Sequence, residues 1–484
     1  MMRPLHGTGQ PVVAIIGGGF SGAALCWQLL ALGDAIPRIV LIDKSGRFGP
    51  GLAYGAAHRS HLLNVRAGNM SIDPVRPNDF VEWLRANGHD DADADTFAQR
   101  VVFGEYVETR LADAMRAGGA DQLTLVREEA IACRPQERGA AVQLASGAVI
   151  EADAVVLALG NAPPKAPAPF DVFGAEVIDP WDRTALAQVA AGDDVLLLGS
   201  GLTMIDAAMM LASGPRTGKL YVTSRRGLTP RPHGERRAVC GAPPELPHRM
   251  SDALAHVRRE AEAAEANGGS WRNVVETLRQ NAHTLWPSLP LDAQRRFLRH
   301  LRPWWDVHRH RTPGHVAAWL SALGADGAMH VIAGRVGDVA RKADGFTISY
   351  TPRGRAEQRQ FGVKRIVNCT GACADVRAIE AALVKQMLSE GVARSHPNGL
   401  GFDVDEHGHV RGANGVARAT ILALGPLTQG AHWESTSVPD IRARATALIS
   451  EIARVEALKR RAMLGAFGNV TALSARRRAA PTKS

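Results

Sequence analysis

Two short apolar runs, each ending in a glycine-rich turn, constrain this chain more than any other feature. The first, Val12-Val-Ala-Ile-Ile16, leads into Gly17-Gly-Gly-Phe-Ser-Gly22, and an apolar, helix-like stretch continues through Leu32. Five apolar, mostly β-branched residues stopped by glycine read as a buried strand, and this glycine spacing ahead of a helix reads as a dinucleotide-binding turn. Gly17 permits the tight turn, Gly19 lets the backbone approach a pyrophosphate, and Gly22 permits close packing of helix on strand. The helix N-terminus supplies N–H groups and a dipole for the phosphates. A second strand, Arg38-Ile-Val-Leu-Ile-Asp43, ends in an acid 21 positions after Gly22, where a carboxylate would hold ribose hydroxyls. Because that acid would repel a 2′-phosphate, the site favours FAD or NAD over NADP.

The same grammar returns 182 residues later. Asp194-Val-Leu-Leu-Leu-Gly199 runs into Ser200-Gly201-Leu-Thr-Met204 and a helix through Leu211, and Met204 replaces the third glycine, which loosens the packing of helix on strand. The following strand, Lys219 to Ser224, ends in Ser224-Arg225-Arg226 where the first unit has an acid. Guanidinium groups bind phosphate bidentately, so this second site suits NADPH. Two sites of opposite charge preference imply a flavin fixed in the first and a reduced nicotinamide visiting the second. The expected cofactors are FAD and NADPH.

At 484 residues the chain has room for more than one domain of roughly 100–200 residues. Further strands that end at glycine, Ala154 to Gly160, Arg365 to Gly371 and Thr420 to Gly425, suggest that the chain leaves the first domain and comes back to complete it. The expected fold class is α/β, with two Rossmann-like domains and the NADP domain inserted in the FAD domain. Residues 1–165 form the first part of the FAD domain, 190–355 the NADP domain with a helical segment at about 250–325, and 360–455 the second part of the FAD domain. The net charge of +9 resides mostly in a basic tail, 459–484, with seven Lys and Arg and no acid. We read it as a solvated, disordered tail and expect no nucleic-acid partner. No apolar run reaches the roughly 18 residues of a membrane span, and the first ten residues lack the apolar core of a secretory signal, so a cytoplasmic location is expected.

The five cysteines are scattered, and there is no C-x-x-C. Cys369 and Cys373 are close in sequence but read as strand-end core residues, so a disulfide reductase lacks its redox pair and molecular oxygen becomes the natural electron acceptor. The candidate function is an NADPH-using flavin monooxygenase on a small polar substrate. Its rivals are an NADPH-dependent reductase serving a quinone or a protein, and a non-catalytic FAD/NAD(P)-binding protein. Metal ligation is not expected. Arg295, Arg299, Arg302, His308 and Arg311 could form a cationic rim for an anionic substrate or NADPH, or the solvated face of a helical lid packed by Trp304 and Trp305. His432 is a candidate for proton transfer and Glu434 for orienting a group at the flavin edge, with a structural role for the segment as the alternative.

A family resemblance rests on Gly17 to Gly22, Gly51-Leu-Ala-Tyr-Gly55, His61-Leu-Leu-Asn-Val65 with Asn69-Met70-Ser71, Asp179-Pro-Trp-Asp182, Gly199 to Asp206, Ser224-Arg-Arg-Gly227, Trp304 to Arg311, Asn368 to Gly371, and Gly425-Pro-Leu with Trp433 to Arg442. In these the chain resembles bacterial FAD/NAD(P)-binding proteins of the YdhS type. Their flavin-binding domain class includes FAD-dependent urate hydroxylase and the aspartate N-monooxygenase that makes nitrosuccinate. The resemblance implies that Gly17, Gly19, Gly22 and Asp43 bind the adenosine and pyrophosphate of FAD. It also implies that Asn64 to Ser71, with Met70, line the isoalloxazine and that Gly425 and Pro426 close over the ribityl side. The stretch Phe173 to Asp179 lacks the histidine of the Phe-x-Gly-x-x-x-His fingerprint, a departure from typical Baeyer–Villiger and amine-oxygenating flavoproteins that leaves the expected two-cofactor architecture untouched.

Overall fold

The computed structural model describes residues 10–33, 37–235, 245–247 and 249–455; the basic tail and Cys240 lie outside them. The first sheet has six strands in the order His409–Arg411, Ala417–Ala423, Ala154–Leu157, Val12–Ile16, Arg38–Ile42, Leu123–Val126. All pair in parallel except the first two. Every residue of Val12–Ile16 is buried, which is why the run shows no polar alternation: both faces of the sheet are covered. The helices Phe20–Leu30 and Arg100–Arg116 cover one face through Leu25, Phe103 and Tyr106. On the other face lie a three-stranded antiparallel sheet, Ala130–Pro135, Ala140–Leu144 and Val149–Ala152, and the helix Ala382–Ser389.

The second sheet has seven strands in the order Arg359–Val363, Gly345–Pro352, Met329–Lys342, Leu220–Ser224, Val195–Leu198, Arg365–Asn368, Val177–Ile178. The last five pair in parallel, and the first three form an antiparallel extension. The molecule thus has two Rossmann-like domains. In each sheet the strand before the glycine turn lies between two parallel neighbours, the next strand of the unit on one side and a strand from much later in the chain on the other. Such a switch point opens a crevice at the carboxyl ends of the strands.

One expected boundary moves. Arg365–Asn368 does not return to the first sheet but pairs with Val195–Leu198 in the second, and Val177–Ile178, ahead of the expected start at 190, pairs with it from the other side. The strand-to-glycine form appears in both sheets, so the pattern does not say which sheet a given copy joins. Ala417–Ala423 does return, pairing with Ala154–Leu157.

The helical segment is present as Met250–Ala266, Trp271–Gln280, Ala282–Ser288, Leu291–Arg296, a π-helical turn at Phe297–Leu301, and Arg302–Arg309. Gly314–Ala325 belongs to the second domain's core instead, where Val316 packs with Met204 and Ile205. Although it interrupts the second domain in sequence, the segment docks on the first. Trp286 stacks on Trp433 with ring centroids 4.8 Å apart and donates its indole N–H to the Gly430 carbonyl at 2.7 Å. Phe297 and Trp305 complete this apolar contact. Trp286→Ala should remove the stack and leave a cavity, costing about 3–5 kcal/mol. Denaturant unfolding of the two proteins side by side checks this, and equal stability would show that the segment is held elsewhere.

Candidate functional site: two glycine turns and the joint between them

The first turn is built from backbone pressed on backbone. Gly17 has φ +109°, and a Cβ there would lie 2.3 Å from the Ala158 carbonyl oxygen; one on Gly22 would lie 2.0 Å from the Gly17 oxygen. Gly51, at φ +54°, faces the Gly19 Cα so closely that a Cβ would come within 2.8 Å. From a third segment comes Gly425, where a Cβ would meet the Ser21 hydroxyl at 2.6 Å. These segments surround the N-terminus of Phe20–Leu30, whose N-cap, Gly19, offers no side chain to its first turn. The result is a cradle lined by main chain at the uncapped end of a buried helix, which fits a dinucleotide pyrophosphate. The Asp43 carboxylate is fixed beside it, accepting from the Gly18 N–H at 2.7 Å and from the Ser45 N–H and hydroxyl at 2.8 and 2.6 Å.

The second turn repeats the first with one wall missing. Gly199, at φ +101°, would place a Cβ 2.4 Å from the Cys369 carbonyl oxygen. Cys369 therefore stands to this turn as Ala158 stands to the first. Gly201 caps Leu202–Leu211 with open space around it, in contrast to Gly19 under Gly51. Met204, fully buried, occupies the place of Gly22, so this helix cannot close on its turn as the first does. Ser200 donates to the Leu228 carbonyl at 2.5 Å and lies 2.9 Å from the Ser224 hydroxyl, which in turn accepts from the Gly227 N–H at 3.0 Å. Ser224 is thereby committed to shaping the loop that carries Arg225 and Arg226. Arg225 is exposed and Arg226 half-buried, and neither forms an ion pair among the described residues. An enclosed turn ending in an acid suits a resident nucleotide; an open turn ending in two unpaired arginines suits one that comes and goes.

Between the turns lies a joint that sequence reading missed. Arg100 of the first domain donates to the Leu62 carbonyl at 3.0 Å and pairs at 3.0 Å with Asp206, in the helix that starts at Gly201. Both side chains are close to nine-tenths buried. Burial pushes Asp206 up to about 6, with Arg100 opposing the shift. The signal was present: Asp206 is the one charge in an otherwise apolar helix, and a charge so placed requires a buried partner. His61, 2% exposed, adjoins this pair; its Nδ1 accepts from the His58 N–H at 3.2 Å, and its Nε2 has no partner among the described residues. Burial, with Arg100 nearby, brings it down to about 4. Further along, His233 Nε2 lies 2.9 Å from the Asn64 carbonyl, so Asn64 sits at the meeting of the domains.

The other expected residues divide. Met70 and Ser71 are fully buried; the Ser71 hydroxyl serves the Asp73 backbone, and its carbonyl accepts from Arg442 at 2.6 Å. His432 Nε2 faces the Arg444 guanidinium at 2.8 Å, and burial with that cation lowers it to about 3, which holds it neutral. Glu434 accepts from Trp305 Nε1 at 3.2 Å and pairs with Arg309 at 3.0 Å, so it anchors the helical segment. The cationic rim disperses. Arg295 donates to the Pro397 carbonyl, Arg299 is exposed, Arg302 pairs with Asp306, and His308 contacts its own helix through the Trp304 carbonyl. Only Arg311 points into the interdomain region, paired with Glu276 at 3.4 Å. Cys369 is buried, and burial pushes its thiol well above the ordinary range; Cys373 is a free thiol near the Asp375 carbonyl. Thiol exchange needs a thiolate, which this environment disfavours at Cys369.

Residues 14–162 match the NAD_binding_9 family model, described as FAD-NAD(P)-binding. No curated protein matches the chain. Among solved structures, the ornithine N-hydroxylase of Kutzneria sp. 744 aligns with a TM-score of 0.65 at 16% identity, covering 92% of this chain and 99% of that one. The cadaverine monooxygenase DfoA of Erwinia amylovora aligns at 0.66 and 14% identity, covering 92% and 95%. The thioredoxin reductase of T. acidophilum aligns at 0.50 and 9% identity, covering 91% and 96%. These likenesses establish the two-domain architecture. Since oxygenases and a disulfide reductase share it, the chemistry has to be argued from the site.

The joint makes a pH prediction. His61 is held near 4 in the folded chain against 6.5 unfolded, so between those values the unfolded chain binds more protons, and acidification destabilises the fold. At 1.36 kcal/mol per unit the loss amounts to about 3 kcal/mol by pH 4. Asp206, raised in the folded state, acts in the opposite sense over a similar window and is common to both proteins compared. Wild type should therefore lose stability relative to His61→Gln as pH falls from about 7 to about 4. Parallel stability curves would refute the assignment.

Proposed function

We propose that this chain is an FAD-dependent monooxygenase that draws its electrons from NADPH and acts on a small polar substrate, and that it is a protein of the YdhS type. The observation that carries the reading is the asymmetry of the two turns: one enclosed by main chain and flanked by Asp43, the other open and flanked by Arg225 and Arg226. Bound there, FAD would accept a hydride from NADPH and supply the electrons that activate oxygen for transfer to the substrate.

The chain's own residues bind, orient and exclude water. Gly17, Gly19, Gly22, Gly51 and Gly425 shape the flavin cradle, Asp43 holds the ribose, and Pro426 follows Gly425 over the helix end. Gly199 and Gly201 receive the second pyrophosphate, and Arg225 and Arg226 receive the 2′-phosphate. Arg100 and Asp206 fix the nicotinamide-bearing helix against the flavin domain, and buried His61 and the helical segment keep the joint dry. The competing reductase reading needs an acceptor that takes electrons without oxygen, and the buried Cys369 thiol is a poor relay for it. Among the described residues no helix is long and apolar enough to cross a membrane, and we infer a cytoplasmic location.

Purified protein should carry FAD, and NADPH should reduce it in preference to NADH. In Arg225→Ala/Arg226→Ala, loss of a charge-assisted phosphate contact should weaken NADPH binding by about 10- to 150-fold and leave NADH little changed. Rapid-mixing measurement of flavin reduction with both nucleotides checks this. An unchanged preference would place the 2′-phosphate elsewhere.

A further inference from the structure

Where the two domains and the helical segment meet, guanidinium groups outnumber the carboxylates that act on them among the described residues. The second domain's segment Pro232-His-Gly234 is pinned there: His233 to the Asn64 carbonyl, the Gly234 carbonyl by Arg66, and the Pro232 carbonyl by Arg272 at 3.1 and 3.2 Å. Around it stand five arginines, Arg66, Arg272, Arg279, Arg309 and Arg311. The acids that pair with them are Asp95 with Arg66, Glu276 shared by Arg279 and Arg311, Glu434 with Arg309, and Asp440 between Arg279 and Arg309. Arg272 donates to the Pro232 carbonyl and lies over the Trp271 ring at 4.5 Å, Glu265 is the acid that acts on it, and the exposed Arg231 adds another positive charge beside it.

This excess is largely removed from water. The side chains of Arg309, Arg311 and Arg66 are 8%, 11% and 14% exposed. Arg311 Nε is buried with no hydrogen-bond partner among the described residues, and its single acid, 3.4 Å away, is held more tightly by Arg279 at 2.7 Å. Burial and the neighbouring guanidinium groups lower Arg311 to about 10, the mark of a cation short of counter-charge. A buried charge is retained at such cost only where something pairs with it.

The cofactors do not supply that charge. On the reading above, the pyrophosphates lie at Gly19 and Gly201 and the 2′-phosphate at Arg225 and Arg226, so the parts of FAD and NADPH that meet at the joint are their uncharged rings. We propose that Arg311, supported by Arg272, is the recognition site for a carboxylate of the substrate, which is therefore an organic acid or amino acid and not a simple amine. The assignment rests on the monooxygenase reading for its meaning, but anion binding at the joint can be measured without turnover. A carboxylate there would take the free Nε–H of Arg311 in a charge-assisted contact, the geometry in which guanidinium exceeds ammonium.

The test is calorimetric titration of the FAD-loaded protein with succinate and with its uncharged twin, succinamide. Wild type should bind succinate and not succinamide. Arg311→Gln should weaken succinate binding by about 10-fold or more, Arg272→Gln should weaken it less, and Arg311→Lys should retain part of it. Equal binding of the two probes, no binding of succinate, or the same succinate affinity in Arg311→Gln and Arg272→Gln as in wild type would each overturn the proposal. A fall in NADPH affinity with succinate binding intact would give the charge to the cofactor and overturn it as well. Failure of NADPH to reduce the flavin would sink the functional reading alone, because the titration needs no electron transfer.

Discussion

The structure depends on the closeness with which a carbonyl approaches a glycine. In the first sheet the Ala158 oxygen leaves no room for a Cβ on Gly17, and in the second the Cys369 oxygen leaves none on Gly199. Each contact clamps the chain between two parallel strands just where the strand order reverses and directs a helix N-terminus into the crevice. Once that is set, the rest of each site follows from what crosses the turn. Gly49 to Gly51 and Gly425 cross the first and close it; among the described residues nothing approaches Gly201 in the second. On the proposed function, resident and visiting nucleotides are thus distinguished by packing before charge is considered.

Electrostatics then settles how the halves face each other. The Arg100–Asp206 pair crosses from one domain to the other through a nearly dry joint, where losing one partner leaves an uncompensated charge. A surface pair would be worth a fraction of that and would leave the domains free to slide. The helical segment adds a second tie, since Trp286 and Trp305 pack with Trp433 while Arg309 engages Glu434. Packing and charge together place His61, Asn64 and Arg311 along the joint.

Much of this was legible in the sequence because glycine positions and strand ends are local. Gly17, Gly19, Gly22 and Asp43 could be placed by counting residues, as could Gly199, Gly201 and the two arginines after Ser224. Which sheet a strand joins is not local: Arg365–Asn368 and Ala154–Leu157 share one pattern, and only pairing with Val195–Leu198 separates them. Side-chain roles at the joint were illegible for the same reason. His432 and Glu434 looked like catalysts by residue type, yet their partners, Arg444 and Arg309, make them anchors. Arg100 carried no motif, and Asp206 could be noticed only as a lone acid in an apolar helix.

That oxygen, and not a thiol or a quinone, receives the electrons arriving through these two sites is the proposal on which the function turns. It is tested most directly by following labelled molecular oxygen during NADPH oxidation with a panel of small amino acids and organic acids. One such compound should accelerate NADPH use, suppress hydrogen peroxide release and emerge carrying one labelled oxygen atom. Rapid anaerobic reduction of a quinone or a disulfide, with slow reaction toward oxygen and no label in any product, would contradict it.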